Sequence, residues 1–335
     1  MTKPVTGVAL MTLYERGHFQ LSDPVSRFIP SWNSMKVAER DPSGSVRLVD
    51  PVRPPSVRDL LMHMSGLGYG RDNADLNLES EGGRIKAPST RFASLEDMVD
   101  QQAAWPLRFQ PGAHWLYSFG TDVCARLVEI MSGRSFDTYL SEEIFGPLGM
   151  TDTAFYVPDA GADRFAGLYA RNARKELVLL DDAQDSSYRR PPDFLSGGGG
   201  LVGTTGDYLR FCQMLLDGGE LDGRRILSRK TVELMTVNHL PAQGGMGDFA
   251  LPGSYGEVGF DGMGFGLTMS VSKGPSQTAV SGSAGTFQWG GAASTLFWVD
   301  PAEDLTVVFM TQLMPSATFN FRGQLQALVY AAIAD

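Results

Sequence analysis

Apolar residues recur at helical periods through the first two-thirds of this chain and gather into short β-type runs over its last hundred residues. Between Thr2 and Gly17, the positions Val5, Val8, Ala9, Met11, Leu13 and Tyr14 fall at mixed helical spacing. Pro4 is tolerable in a first turn, and Gly17 can end the helix. A helix this apolar belongs in a core. The Pro-rich stretch from Asp50 to Ser56 leads into a second predicted helix, Val57 to Met64, stopped by Ser65 and Gly66. Polar, Gly-containing sequence from Gly68 to Ser94 reads as loop. Helical spacing returns over Leu95 to Ala104. It returns again over Thr121 to Ser132, whose apolar face is Val123, Ala125, Leu127, Val128 and Met131, with Gly133 as its stop. Thr204-Thr-Gly-Asp207 is a capping-box-like start for a helix through Leu216.

Beyond residue 256 the period shortens. Runs at Phe265 to Val271, Thr286 to Val299 and Leu305 to Leu313 predict strands separated by turns such as Asp300-Pro301, and the short connection makes the last two antiparallel neighbours. An amphipathic helix from Phe321 to Ile333 is expected to lay Leu325, Leu328, Val329 and Ile333 over one face of that sheet.

Composition narrows the function. With 335 residues, 43% hydrophobic and 20% charged, the chain has the balance of a packed soluble protein. A net charge of −10 repels a phosphate backbone, so nucleic acid is excluded as a partner. No apolar run approaches the roughly 18 residues of a membrane span, and the N-terminus lacks the order of a signal peptide. No membrane association and a cytoplasmic location are therefore expected. Cys124 and Cys212 lie in predicted amphipathic helices and suggest neither a disulfide nor a zinc site. His18, His63, His114 and His239 share no metal-ligand spacing. The glycine run at Gly197 lacks the Gly-Lys-Ser/Thr ending of a phosphate loop, and no G-x-S-x-G occurs. Neither metal nor cofactor is expected.

Three segments carry chemistry. The opening Met1-Thr2-Lys3-Pro4-Val5-Thr6-Gly7 sets a lysine in the first turn of a helix. Phe109-Gln-Pro-Gly-Ala-His-Trp-Leu-Tyr-Ser118 is a Pro-Gly turn followed by Tyr117, and Phe287-Gln-Trp-Gly-Gly-Ala-Ala293 puts small residues in a β-rich run. Together they resemble the penicillin-recognising serine hydrolases, with family VIII carboxylesterases and class C β-lactamases the most similar groups. Leu60-Leu-Met-His-Met-Ser-Gly-Leu67, Ile144-Phe-Gly-Pro-Leu-Gly-Met-Thr151 and Gly198-Gly-Gly-Leu201 match in order and spacing, so the resemblance covers nearly the whole chain.

The resemblance implies an α/β (α+β) fold of the β-lactamase/transpeptidase type, an antiparallel sheet flanked by helices plus a mainly helical lobe. It implies one domain over residues 1–335, with the helical lobe roughly at 20–255 and the sheet and closing helix roughly at 256–335. An intact member also has an N-terminal helix and two strands that are expected to be missing here. The S-x-x-K spacing of the family sets the nucleophilic serine one residue before Met1, so the chain as it stands is expected to be inactive. Lys3 becomes the activator of that serine, since positions three apart share a helix face. Tyr117 becomes its catalytic partner, a usable base if a cation such as Lys3 stabilises the phenolate. Trp289, Gly290 and Gly291 line the substrate, and the Ala292 N–H is one half of an oxyanion hole.

Two departures shape the expected chemistry. Phe119 stands where class C β-lactamases have asparagine, which counts against β-lactam turnover. Trp289 stands where they have a lysine, which points to neutral short-chain esters. A β-lactamase or D-amino-acid peptidase relative is the alternative enzyme, and a non-catalytic protein binding a small molecule in the old cleft is the alternative of another class. His63 and Ser65 are read as helix-end structure. Ser270-Val-Ser-Lys273 has S-x-x-K spacing but sits on a predicted strand, where positions three apart face opposite ways.

Overall fold

The computed structural model describes residues 1–41, 43–69, 79–80, 83–84, 92–316 and 318–334. The expected loop from Gly68 to Ser94 therefore falls largely outside the described residues. The first helix runs Thr2–Glu15, and every side chain from Thr2 to Leu13 is buried. Gly17 follows at φ +77°, a conformation that stops a helix at little cost only for glycine. This helix lies against Gly120–Ser132, which ends on Gly133 in the left-handed conformation. Gly7 allows a second close approach, since a Cβ there would lie 2.3 Å from Thr268 Oγ1.

The helix predicted over Val57 to Met64 ends earlier, at Leu61. Ser56 caps its start in a reciprocal box with Asp59, but His63 takes φ +56°, and the chain turns before Ser65 and Gly66. The turn is held from outside: the Gly112 N–H donates to Met64 O, and the Leu116 N–H donates to His63 O. Leu95–Ala103 and Thr205–Leu216 form close to expectation, each capped by a side chain, Ser94 and Thr204 respectively.

The β-rich region is an antiparallel sheet of five strands, Met263–Phe265, Ser270–Ser272, Phe287–Gly290, Leu296–Asp300 and Leu305–Phe309, paired in chain order. Two predicted runs are in fact hairpins. Phe265 to Val271 turns at Thr268 (φ +71°), and Thr286 to Val299 turns at Gly291 to Thr295, with Ser294 at φ +66°. Neither run is purely apolar: Gly266 and Thr268 interrupt the first, and Gly290-Gly291 with Ser294-Thr295 interrupt the second where it turns. The third run also breaks, and Leu313–Met314 pairs instead with Leu168–Arg171 in a separate three-stranded sheet.

Trp289, Phe297 and Val308 are cross-strand neighbours on the sheet face toward the helical core. The closing helix is Phe321–Ala331. It covers the opposite face only in part: Tyr330 stacks on Trp298, whereas Leu328 is 69% exposed and Ile333 44% exposed, contrary to the predicted role of both. Among the described residues no helix is long and apolar enough to cross a membrane.

Candidate active site

The first turn of Thr2–Glu15 is tied to the glycine run. Lys3 Nζ donates to Gly198 O at 2.6 Å, Thr6 Oγ1 donates to Gly197 O at 2.8 Å, and the Leu201 N–H donates to Thr2 Oγ1 at 3.2 Å. The run is held from below by Asp122, whose Oδ1 accepts from Ser196 Oγ at 2.6 Å and from the Gly198 N–H at 2.9 Å. Glycine is required by space here. A Cβ on Gly197 would lie 2.7 Å from both Thr121 O and Ala125 Cβ, and one on Gly198 would lie 2.6 Å from Asp122 Oδ2. Burial pushes the Asp122 carboxyl up, while the Lys3 charge and the bonds from Ser196 and Gly198 pull it down. The sequence reading gave the glycine run a packing role and missed Asp122, whose only signal was an acid on the otherwise apolar face of a helix.

Tyr117 stands opposite. Lys3 Nζ lies over its ring, 4.4 Å from the centroid, and the Trp289 indole N–H donates to its hydroxyl at 3.4 Å. The three residues singled out from separate segments thus meet in one cleft. The ammonium group faces the ring, however, and hydrogen-bonds to Gly198 O and to the Tyr69 side chain. Burial holds the Tyr117 hydroxyl well above 10, the Glu257 charge adds to this, and the Trp289 hydrogen bond opposes it. Tyr117 is therefore a protonated phenol at neutral pH, not the phenolate that pairing with Lys3 was expected to stabilise.

Gly290 ends its strand, and Gly291 begins the turn that carries Ala292 at the surface. A Cβ on Gly291 would lie 3.3 Å from the Met1 nitrogen, so the start of the first helix meets this turn. Burial, followed by the Lys3 charge, pushes that α-amino group down to about 5.

His63 and Ser65 are buried beneath the cleft. His63 Nδ1 is 3.2 Å from Ser118 Oγ, and its ring stands edge-on to Tyr117 with centroids 4.9 Å apart. Burial, with Lys3 adding to it, drives the imidazole well below its ordinary 6.5, so His63 is neutral. Phe119 packs edge-on against Tyr69 and Phe92, at 4.7 and 5.8 Å. Ser270–Ser272 is a strand, so Ser270 and Lys273 are not presented as a helical pair. Cys124 and Cys212 are free and fully buried, and burial raises both thiols. Among the described residues no cluster of His, Cys, Asp and Glu comes together as a metal-holding group.

The chain belongs to the β-lactamase family, whose profile matches residues 1–331. It is 35% identical to protein Rv1367c of Mycobacterium tuberculosis, over 96% of this chain and 78% of that protein. It is 28% identical to the esterase EstB of Burkholderia gladioli, over 93% of this chain and 75% of that protein. Its fold matches a variant of the simvastatin synthase LovD from Aspergillus terreus with a TM-score of 0.77 and 26% identity, over 98% of this chain and 79% of the other.

Proposed function

We propose that this cleft performs acyl transfer through an acyl-serine, ending in hydrolysis of short-chain esters, with the nucleophile immediately ahead of Met1. The observation that carries this reading is the convergence of Lys3, Tyr117 and Trp289 at the N-terminus of a buried helix. The positive end of that helix favours an alkoxide at its first turn. The serine oxygen attacks the ester carbonyl. As the serine oxygen adds and the bond to the leaving alcohol breaks, the serine proton passes to the Tyr117 oxygen while the Tyr117 proton passes to the alcohol oxygen, so the phenol is protonated before and after. The relay starts and ends on the protonated phenol that burial favours. Water then cleaves the acyl-serine by the reverse path. The Ala292 N–H, in the turn after Gly291, is assigned to the oxyanion. The esterase EstB supports hydrolysis as the outcome. Phe119, packed among Tyr69 and Phe92, favours esters over β-lactams, because an apolar ring replaces an amide that could hydrogen-bond.

The test adds a serine ahead of Met1 and compares that protein with the 335-residue chain and with its own Lys3→Ala variant. One fluorophosphonate label by intact mass and hydrolysis of p-nitrophenyl butyrate are expected only with serine and lysine both present. Labelling that ignores Lys3, or a serine-bearing protein that takes no label, overturns the reading in favour of a non-catalytic binding protein. Rapid nitrocefin turnover overturns the ester assignment alone.

A further inference from the structure

His63 holds the chain on both sides of Tyr117. Its carbonyl oxygen accepts from the Leu116 N–H at 2.9 Å, and its Nδ1 is 3.2 Å from Ser118 Oγ, so the residues immediately before and after the tyrosine are both tied to it. The backbone makes this possible. In a continued helix the His63 carbonyl would bond to the amide four residues on, but His63 sits at φ +56°, beyond the helix that ends at Leu61, and its carbonyl and side chain serve the same neighbouring segment. Both partners are sealed from water, His63 at 1% and Ser118 at 0% exposure, so no solvent competes for the bond.

The hydrogen bonds also fix where the imidazole proton lies. Ser118 Oγ accepts from the Gly120 N–H at 3.2 Å, where the helix Gly120–Ser132 begins. An N–H can only donate, so this bond uses a lone pair of the hydroxyl and leaves the hydroxyl proton in need of an acceptor. Among the described residues His63 Nδ1 is that acceptor, and it can accept only when the imidazole proton is on Nε2. Nε2 is buried without a hydrogen-bond partner among the described residues. The rings of Tyr117, Trp115 and Phe265 stand edge-on to the imidazole at 4.9, 5.9 and 5.8 Å, a π surrounding that suits a weak N–H contact. The other tautomer would leave two groups unbonded, the Ser118 proton and the Nε2 lone pair. The Nε2–H form is therefore the one the burial of this site selects.

We propose that His63, as its Nε2–H tautomer, is a positioning residue for the proton relay: through Leu116 and Ser118 it fixes where the Tyr117 hydroxyl stands between the serine oxygen and the leaving alcohol. This rests on the acyl-transfer reading above, and it gives a role to a residue read from the sequence only as helix-end structure. His63 acts through Tyr117 and exchanges no proton with the substrate. Its leverage is geometric, since misplacing a reacting group by about 1 Å can cost about a hundredfold in rate.

The tautomer can be read without turnover. In the 335-residue chain at neutral pH, nitrogen NMR is expected to show an uncharged His63 with its proton on Nε2, the signals being assigned by their loss in His63→Asn. A proton on Nδ1 overturns the proposal. In the serine-bearing protein, His63→Phe keeps a ring and removes the acceptor. It is expected to lower kcat on p-nitrophenyl butyrate about tenfold or more and to leave KM within about twofold, whereas His63→Asn, which returns a polar acceptor near the Nδ1 position, is expected to recover most of the loss. Equal kcat in the Phe and Asn variants, or a loss accounted for by the unfolded fraction in urea titration, overturns the proposal. If His63→Phe does not fold, Ser118→Ala takes its place, and a wild-type kcat in that variant overturns it equally. Absence of hydrolysis by the serine-bearing wild type overturns the acyl-transfer reading, while the tautomer is still read in the 335-residue chain, so the two ideas fail separately.

Discussion

His63 illustrates how much of this site is decided by what surrounds a residue. Its type and its place after a helix suggested end structure, and it does end the helix, but it also supports Tyr117 by ring contact and meets Ser118 at 3.2 Å. Because the folded imidazole titrates well below its ordinary 6.5, the unfolded chain binds a proton first as pH falls. The stability His63 contributes is present above about pH 6.5 and is lost as pH drops toward its folded value, at about 1.4 kcal/mol per pH unit. Asp122, raised in the fold, works in the opposite direction: its contribution is present below the ordinary carboxyl range and is lost as pH rises through its folded value. Urea unfolding at pH 7.5 and 5.5 should therefore show the wild type losing about 1.4 kcal/mol more than His63→Asn, a substitution that keeps a residue tolerant of positive φ. Equal losses would show that His63 does not titrate this way. The protonated state of Tyr117 was likewise beyond reach of the sequence, since it is set by burial and by the charge of Glu257, far away in the chain.

At the scale of elements, the glycine run from Ser196 to Gly200 is a rigid bracket between two helices. It receives Lys3 and Thr6 from one and Asp122 from the other. A methyl group at Gly197 has to displace the backbone of Thr121, so Gly197→Ala should destabilise the fold by about 1–3 kcal/mol in urea unfolding. Asp122→Asn keeps the volume but weakens acceptance from Ser196 and Gly198. It should leave Lys3 misplaced, lowering kcat of the serine-bearing protein on p-nitrophenyl butyrate more than it raises KM. An unchanged kcat would reduce the bracket to a purely structural role. The helices themselves were legible, because capping residues and 3.6-residue spacing are local signals. The hairpin turn at Thr268 was not, because a non-glycine residue held at positive φ by its surroundings leaves no local mark, whereas the turn before Ser294 carried one in Gly290-Gly291.

Across the whole molecule, the five-stranded sheet ends on Leu305–Phe309, whose residues are all only partly buried. Thr306-Val-Val-Phe, with Met310 just beyond, lies along this edge. Such an edge offers unpaired backbone groups and apolar side chains to a second chain. Light scattering of the 335-residue chain should show self-association that grows with concentration and that Thr306→Lys reduces; a monodisperse, cooperatively melting monomer would count against it. By itself the sequence determined the buried first helix, the β-rich character of the last hundred residues, and the three segments whose chemistry points to one cleft, because residue spacing and type are properties of the chain alone. Only the tertiary structure decided that Lys3 lies over the face of Tyr117, that Asp122 supports the glycine run, and that His63 holds the chain on both sides of Tyr117. Each of these joins residues far apart in the chain, and their partners, charges and proton affinities are set by burial and distance, which no local pattern encodes.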